Sequence, residues 1–155
     1  MAELVEDTVR EILEEVVAGL GLTGTVAVDR DHEVVTGTVE GEDLGLFIGR
    51  HGQTIDAVQH LIFRIALARG AGDEGDLRVV IDAEGYRARR AEALQRVADQ
   101  AAEDARRYGR PVALDAMTAS ERKLVHEYLR DRGGVETYSE GEEPARHLVV
   151  APLVV

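Results

Sequence analysis

The stretch Ile48-Gly49-Arg50-His51-Gly52-Gln53-Thr54-Ile55 decides the fold, because two glycines enclose two basic residues between segments of helical periodicity. Glycines at such a corner let a ligand approach the backbone closely, and the following helix directs free amides and its positive dipole end to the same place. We expect the corner to hold a phosphate backbone, with added charge from Arg50 and from His51 when it is protonated. The alternative is an ordinary corner between two helices with two exposed basic side chains.

Other glycine patterns in the sequence are interpreted as loops. Two further Gly-x-x-Gly tetrads, at residues 21–24 and 72–75, lie beside predicted strands, and only residues 49–52 lie between helices and enclose basic residues. Gly19-x-Gly21-x-x-Gly24 also matches the fingerprint of dinucleotide-binding proteins. That fingerprint functions where it follows a strand and opens a helix, whereas here it follows a helix and opens a strand. No nucleotide cofactor is therefore expected.

Hydrophobic periodicity around the corner predicts the element order α-β-β-α-α-β. The first helix ends at Gly19 or Gly21 and carries apolar residues at steps of three and four: Val5, Val9, Ile12, Val16 and Leu20. Two strands follow over residues 26–28 and 34–40, with a turn at Asp31-His32. A short helix opened by Gly41 leads to the corner, and the helix from near Gln53 has one apolar stripe: Ile55, Val58, Ile62 and Ile65. After a loop over residues 70–76, a last strand is expected from alternating apolar residues: Leu77, Val79 and Ile81.

The remaining sequence predicts a second unit, which begins with a long helix over residues 83–108. This helix ends at Gly109 and Pro111 and has four expected apolar positions: Leu94, Val97, Ala101 and Ala105. A short strand is expected over residues 112–114. Thr118 and Glu121 have the spacing of a capping box, and the helix that they start runs to about Arg130 and ends at Gly133-Gly134. Residues 135–139 and 147–150 are expected to pair as strands.

Arg122 and His126 form a second basic constellation, because a spacing of four places both side chains on one helix face. Lys123 is adjacent, and Arg130 extends the same face by one turn. Such a face can hold phosphate through a charge-assisted fork and a second donor. The alternative is a solvated helix face without a ligand. Arg146, after the predicted turn, is expected to join this surface.

These motifs resemble two nucleic-acid-binding domains. Residues 48–55 are similar to the signature of the KH domain, whose Gly-x-x-Gly loop clamps a nucleic-acid backbone, and the element order resembles the type II KH arrangement. That resemblance implies an aliphatic groove for bases beside the loop. Ile48, Ile55 and Val58 are near enough in sequence to line it, and the alternative is that all three serve only the core, which is the main role expected of each. The Arg-x-x-x-His spacing resembles the R-3-H domain, a small module associated with single-stranded nucleic acid.

The joint layout, from about residue 4 to residue 150, is similar to that of the Jag proteins, also called SpoIIIJ-associated or KhpB/EloR proteins. The resemblance implies an α+β chain with a type II-like KH domain over residues 1–82 and a small α/β R-3-H domain over residues 83–155. It implies a post-transcriptional regulator or RNA chaperone linked to cell elongation, cell shape and the envelope, often with a small partner KH protein. Many members carry a further N-terminal domain and a charged linker, whereas this sequence starts almost at the KH domain.

The resemblance also assigns the expected RNA contacts. In the first domain these are Gly49, Arg50, His51, Gly52 and Gln53. In the second domain they are Arg122, Lys123, His126 and Arg146. We expect the ligand to be single-stranded RNA, or single-stranded DNA, with the amides of residues 49–52 holding a backbone segment. Arg122→Ala is expected to weaken RNA binding with little loss of melting temperature.

The net charge of −12 argues against a nucleic-acid ligand, since phosphate contacts supply much of the affinity of such proteins. The distribution of charge reduces this objection: residues 1–45 hold 12 acids and two arginines, whereas residues 46–155 hold 18 acids and 16 bases. Residues 86–110 carry seven arginines against four acids, so local basic surfaces are expected. The acidic first helix favours an alternative function, a protein-interaction adaptor with incidental RNA binding. With six aromatic residues, base stacking is expected to contribute little.

The sequence contains no pattern typical of catalysis or of a metal site. His126-Glu127 begins a zinc-protease motif, but Arg130 occupies the position of the second histidine. The five histidines are scattered and cysteine is absent. We therefore expect a protein that is not an enzyme and holds no metal or cofactor. The acidic N-terminus is unlike a secretory signal and no apolar run approaches about 20 residues, which predicts a cytoplasmic protein without stable membrane insertion.

Overall fold

In the computed structural model, which describes residues 2–153, the first helix, α1 (Ala2–Gly19), packs against a three-stranded sheet. Its contact face contains Val5, Val9 and Leu13, which repeat at steps of four and are buried. Gly37 of the sheet faces this helix: a Cβ there would lie 2.6 Å from Val9 Cγ1 and 2.6 Å from Leu13 Cδ1. Glycine at this strand position therefore lets the helix approach the sheet closely.

The sheet of the first unit combines an antiparallel and a parallel pair. Strands β1 (Gly24–Asp31) and β2 (Val34–Gly41) form a hairpin, and β3 (Arg78–Ala83) lies parallel beside β2, so that the order is β1-β2-β3. Parallel neighbours need a crossover connection. The segment between β2 and β3 supplies it, and that segment contains the glycine corner.

The crossover consists of a short helix α2 (Gly45–Ile48), a 3-10 turn (Arg50–Gly52) and a longer helix α3 (Gln53–Ala68). The predicted apolar stripe of α3 is buried at Ile55, Val58 and Ile62, while Ile65 is partly buried. The predicted order α-β-β-α-α-β is confirmed for the first unit.

The second unit packs two helices on a small antiparallel sheet. Its elements are α4 (Tyr86–Tyr108), β4 (Val112–Ala113), α5 (Ala119–Arg132), β5 (Val135–Glu140) and β6 (His147–Pro152), and the strand order is β4-β6-β5. The central strand β6 is buried over its middle four residues. The predicted capping box is present, because the Glu121 amide donates to Thr118 Oγ1 and the Thr118 amide donates to the Glu121 carboxylate.

The described residues divide between Arg87 and Ala88 into two compact units, so α4 begins in the first unit and belongs to the second from Ala88 onward. The second unit has its own core, to which α4 contributes mainly small residues: Leu94, Ala98, Ala101, Ala102 and Ala105. Within residues 2–153, no helix is both long enough and apolar enough to cross a membrane.

Two predicted helix starts were wrong, and backbone conformation explains both. The long helix begins at Tyr86, because Ala83 is the last residue of β3 and the two residues after it, Glu84 and Gly85, have φ values of 50° and 65°. The short helix begins at Gly45, because Gly41 still pairs with Gly24 in the hairpin. Left-handed or strand conformations at these positions exclude a right-handed helix.

Two smaller predictions also differ from the structure. Val97 was expected on the apolar face of α4, but it is 47% exposed and Ala98 takes the buried position. The hairpin turn lies at His32-Glu33, because Asp31 still pairs with Val34.

Candidate nucleic-acid interface

The corner between α2 and α3 depends on both of its glycines. Gly49 and Gly52 have φ values of 75° and 80°, a region that disfavours other residues. A Cβ on Gly49 would collide with the Thr54 side chain, and a Cβ on Gly52 would lie 2.8 Å from Cε1 of Tyr86. The two glycines therefore adopt positive φ values, and the side chains of Thr54 and Tyr86 pack closely against them.

The backbone amides of this corner are only partly available to a ligand. The Gly49 amide donates to the Gly45 carbonyl at 2.8 Å, the Gly52 amide donates to the Gly49 carbonyl at 3.3 Å, and the Gln53 amide donates to Arg50. The expected picture, in which the glycine amides themselves point outward, therefore differs from the structure. Within residues 2–153, no hydrogen bond engages the amides of Arg50 and His51, so these two are the amides left for an anion.

The side chains of the corner are open to solvent, whereas its last glycine is not. Arg50, His51 and Gln53 are exposed, and Gly52 is buried. His51 adopts a left-handed conformation, with φ 54° and ψ 27°. Histidine is one of the few non-glycine residue types enriched in this region. The left-handed His51 therefore lies at an exposed tip, between two buried or partly buried glycines.

Arg87 fixes the helix that follows the corner. Its guanidinium donates from Nη1 to Asp56 Oδ1 at 2.9 Å and from Nη2 to Gln59 Oε1 at 3.0 Å, and Nε donates to the Ile81 carbonyl at 2.7 Å. Gln59 Oε1 also accepts the Ile81 amide at 2.9 Å. These bonds join α3 to β3, so the helix that carries the corner has a fixed position on the sheet.

Arg122 of the second constellation has a different environment from the one expected. Only 8% of the residue is exposed, although an accessible side chain was expected, whether it bound phosphate or only solvent. Nη1 donates to the Met117 carbonyl at 2.6 Å, and Nη2 donates to Glu143 Oε1 at 2.6 Å. The expectation that Arg122→Ala leaves the melting temperature almost unchanged is therefore revised, because a buried guanidinium with two short hydrogen bonds supports the fold.

Arg146 is also engaged by the hairpin that contains it. Its Nη1 donates to the Gly141 carbonyl at 2.7 Å, and the residue is partly buried. This bond closes the connection between β5 and β6. Arg122 and Arg146, the two arginines predicted to contact RNA in the second unit, therefore both form hydrogen bonds to the hairpin loop over residues 141–146.

Lys123 and His126 remain accessible and border a shallow depression between α5 and β5. Its volume is about 340 Å³, and its lining residues are Ala119, Arg122, Lys123, His126, Thr137, Tyr138, Ser139 and Leu148. Nδ1 of His126 is hydrogen-bonded to Thr137 Oγ1, which orients the imidazole ring. Lys123 has only a long ion pair, 3.9 Å from Glu127, among the described residues.

Three lining residues of this depression were not found from the sequence: Thr137, Tyr138 and Ser139. Tyr138 is 43% exposed, and the alternation of β5 puts its side chain on the face opposite Thr137, which is hydrogen-bonded to His126. The alternation of residue types along β5 predicts which side chains share a face of the strand. It does not predict that β5 packs against α5, because no local motif encodes that contact. Among the described residues, no three His, Asp or Glu side chains cluster in a way that suits a metal ion.

Comparisons with known proteins agree with this two-unit organisation. Residues 6–81 match the family model for the KH domain of KhpA and KhpB, and residues 92–152 match the model for the R-3-H domain. Neither model describes an enzyme family.

Five curated relatives carry the name RNA-binding protein KhpB, and three of them illustrate the match. The chain is 32% identical to the protein of Clostridium symbiosum over 96% of this chain and 67% of the relative. It is 39% identical to the protein of Lactiplantibacillus plantarum over 91% of this chain and 43% of the relative. It is 34% identical to the protein of Bacillus subtilis over 91% of this chain and 66% of the relative. The chain thus spans between less than half and about two thirds of the length of these relatives.

Proposed function

The chain belongs to the KhpB family, and on that premise we propose that it binds single-stranded RNA through the 49–52 corner and through the depression between α5 and β5. The observation that carries the proposal is the exposed Arg50 and His51 at a corner that two glycines hold in a left-handed conformation. These two consecutive residues supply an exposed guanidinium, an exposed imidazole and two amides for which the described residues provide no hydrogen-bond partner. Together they suit the anionic backbone of a nucleotide chain.

In the second unit, Lys123 and His126 are the direct phosphate contacts of this proposal. Arg122 reaches a phosphate only if Glu143 is displaced from Nη2. Arg146 similarly reaches one only if it releases the Gly141 carbonyl. A phosphate that replaced Glu143 would offer Arg122 the same kind of anionic acceptor, so the exchange conserves the charge-assisted bond.

The proposal includes the domain assignment and the biological setting. We assign residues 1–82 to the KH domain and residues 83–155 to the R-3-H domain, with the first turn of α4 packed on the KH core. A cytoplasmic post-transcriptional regulator or RNA chaperone, acting on cell elongation and the envelope with a small partner KH protein, is the role we propose. Residues 1–87 hold 18 acids and seven bases, whereas residues 88–155 hold 12 acids and 11 bases. The second unit is therefore less acidic than the first and should repel RNA less.

The acidity of α1 favours one alternative, a protein-interaction adaptor. The helix carries exposed carboxylates on its solvent face: Glu3, Glu11, Glu14 and Glu15. Such a face repels RNA and suits a basic protein surface. If the chain is such an adaptor, RNA affinity should not depend on Arg50 and His51 of the 49–52 corner.

A charge-reversal experiment tests the RNA proposal. The double variant Arg50→Asp/His51→Asp should lose most of its affinity for a fluorescent single-stranded RNA in an anisotropy titration, because like charge repels phosphate. Aspartate tolerates the left-handed conformation of His51, so the fold should be preserved.

The matched control is Arg78→Asp/His32→Asp. Both residues are exposed, His32 has a φ of 53° like His51, and the change in charge is the same. This control should bind RNA nearly as the parent does. Equal affinity of the parent and the Arg50/His51 variant would reject the corner as the RNA site and favour the adaptor.

A further inference from the structure

A basic and aromatic surface at the end of α4 belongs to neither site described above. We call it the α4-end patch and define it as Arg107, Tyr108 and Arg110. All three residues are exposed, and Tyr108 is 58% exposed. The Cζ atoms of Arg107 and Arg110 lie 5.5 Å and 5.7 Å from the centroid of the Tyr108 ring. The patch therefore presents one exposed tyrosine with two guanidinium groups over its ring.

The charge of the patch is opposite in sign to the net charge of the chain. Within residues 2–153, no carboxylate lies within ion-pair distance of Arg107 or Arg110. The chain as a whole holds 30 acids and 18 bases. The patch is therefore locally positive, whereas the chain as a whole has a net charge of −12.

The helix dipole accounts for only part of this arrangement. Cations are favoured in the last turn of a helix, which explains Arg107. Gly109 ends the helix with a φ of 64°, and its amide donates to the Ala105 carbonyl at 2.9 Å. Arg110 lies beyond this turn, yet its guanidinium returns to the Tyr108 ring. The turn thus assembles the patch from residues on both sides of the helix end.

We propose that the α4-end patch is an additional contact site for single-stranded RNA, in which one base stacks on Tyr108 and the flanking phosphates bind Arg107 and Arg110. An aromatic ring accepts the face of any base, and arginine forks match phosphate geometry. Cation–π attraction places the guanidinium groups over the ring, so a stacked base takes the place of a guanidinium group, which then binds a flanking phosphate. This inference rests on the proposed RNA binding, and it extends that binding to a surface outside the two motifs.

The full chain tests the patch in an anisotropy titration with a fluorescent single-stranded RNA. Tyr108→Ala should raise Kd by about fivefold or more, because stacking is lost. Tyr108→Phe keeps the ring and should bind like the parent. Arg107→Gln/Arg110→Gln should weaken binding and reduce its salt dependence. Arg96→Gln, at an exposed position of the same helix, is the control for loss of one charge and should have a smaller effect.

Photocrosslinking gives a second readout that does not depend on affinity. RNA containing 4-thiouridine should crosslink to the peptide that contains Tyr108, and mass spectrometry identifies that peptide. The proposal for the patch would be rejected if Tyr108→Ala and the double arginine variant both bound RNA like the parent and no crosslink formed at residue 108. The proposed function would survive that result, provided that the Arg50/His51 variant loses binding. A parent that does not bind single-stranded RNA would overturn the proposed function together with the patch.

Discussion

Arg122 donates through Nη2 to Glu143 Oε1 at 2.6 Å, and the same guanidinium donates through Nη1 to the Met117 carbonyl at 2.6 Å. One side chain therefore fastens the start of α5 to the hairpin loop between β5 and β6. The Arg122 side chain is 10% exposed, whereas that of Glu143 is 60% exposed. The carboxylate can therefore leave for water, but the guanidinium cannot do so without a change in the fold.

Removal of Arg122 should consequently destabilise the second unit. Arg122→Ala leaves the buried Met117 carbonyl without its partner, and we expect the free energy of unfolding to fall by about 2–3 kcal/mol. Urea denaturation measures this loss, and hydrogen exchange should place it in α5, β5 and β6. Glu143→Gln is the matched control: position 143 is 60% exposed in its side chain and a glutamine oxygen can still accept from Nη2, so the loss of stability should be smaller. Equal stability of Arg122→Ala and the parent would contradict the structural role of Arg122.

The glycine corner gives a second prediction about stability. Gly52→Ala should destabilise the first unit, because its Cβ would lie 2.8 Å from Tyr86 Cε1 and its φ is 80°. The strain and the displaced ring together should cost roughly 1–3 kcal/mol. Gly45→Ala is the matched control: it lies in α2, a Cβ there meets no atom within 4 Å, and alanine should be neutral or stabilising. Thermal unfolding of both variants measures the difference. A Gly52→Ala protein as stable as Gly45→Ala would argue against the close packing of Tyr86.

Much of this architecture follows from local sequence signals. Apolar periodicity in α1 and α3, the Thr118–Glu121 capping box and the paired strands β5 and β6 were all predicted, because each depends on residues that are neighbours along the chain. The start of α4 was wrong by three residues, because the left-handed conformation of Glu84 is not typical of a non-glycine residue.

The candidate site was less predictable than the fold. The spacing of Arg122 and His126 places both on α5, but spacing does not reveal that Glu143, 21 residues later, reaches back to Arg122. The packing of Tyr86 below Gly52 is equally non-local, since 34 residues separate the ring from the corner that it supports. Contacts of this kind depend on tertiary structure, and a motif cannot encode them.

An ion pair on α1 predicts a response to acid. Arg69 donates from Nη1 to Glu11 Oε2 at 2.7 Å, and this hydrogen bond, with the positive charge of Arg69, lowers the pKa of Glu11. A lowered pKa in the folded state contributes stability above the unfolded pKa, and that contribution disappears as the pH falls through the folded value. Glu11→Gln should therefore be less stable than the parent at neutral pH, and the difference should vanish in acid. Glu14→Gln, an exposed change on the same helix, should show no such pH dependence. A constant difference across the pH range would exclude the ion pair as its cause.

The salt dependence of RNA affinity distinguishes phosphate contacts from the adaptor hypothesis. Its change in a single variant shows which side chain contacts a phosphate. The logarithm of RNA affinity should fall by roughly 0.7 per contacted phosphate for each tenfold rise in salt, because bound cations are released from the strand. Lys123→Gln should reduce this slope by about one phosphate equivalent, since Lys123 is exposed beside His126 at the depression. Anisotropy titrations at four salt concentrations measure the slopes, with Arg96→Gln as the matched exposed control. An unchanged slope in Lys123→Gln would remove this residue from the interface, and a flat slope in the parent would favour the adaptor.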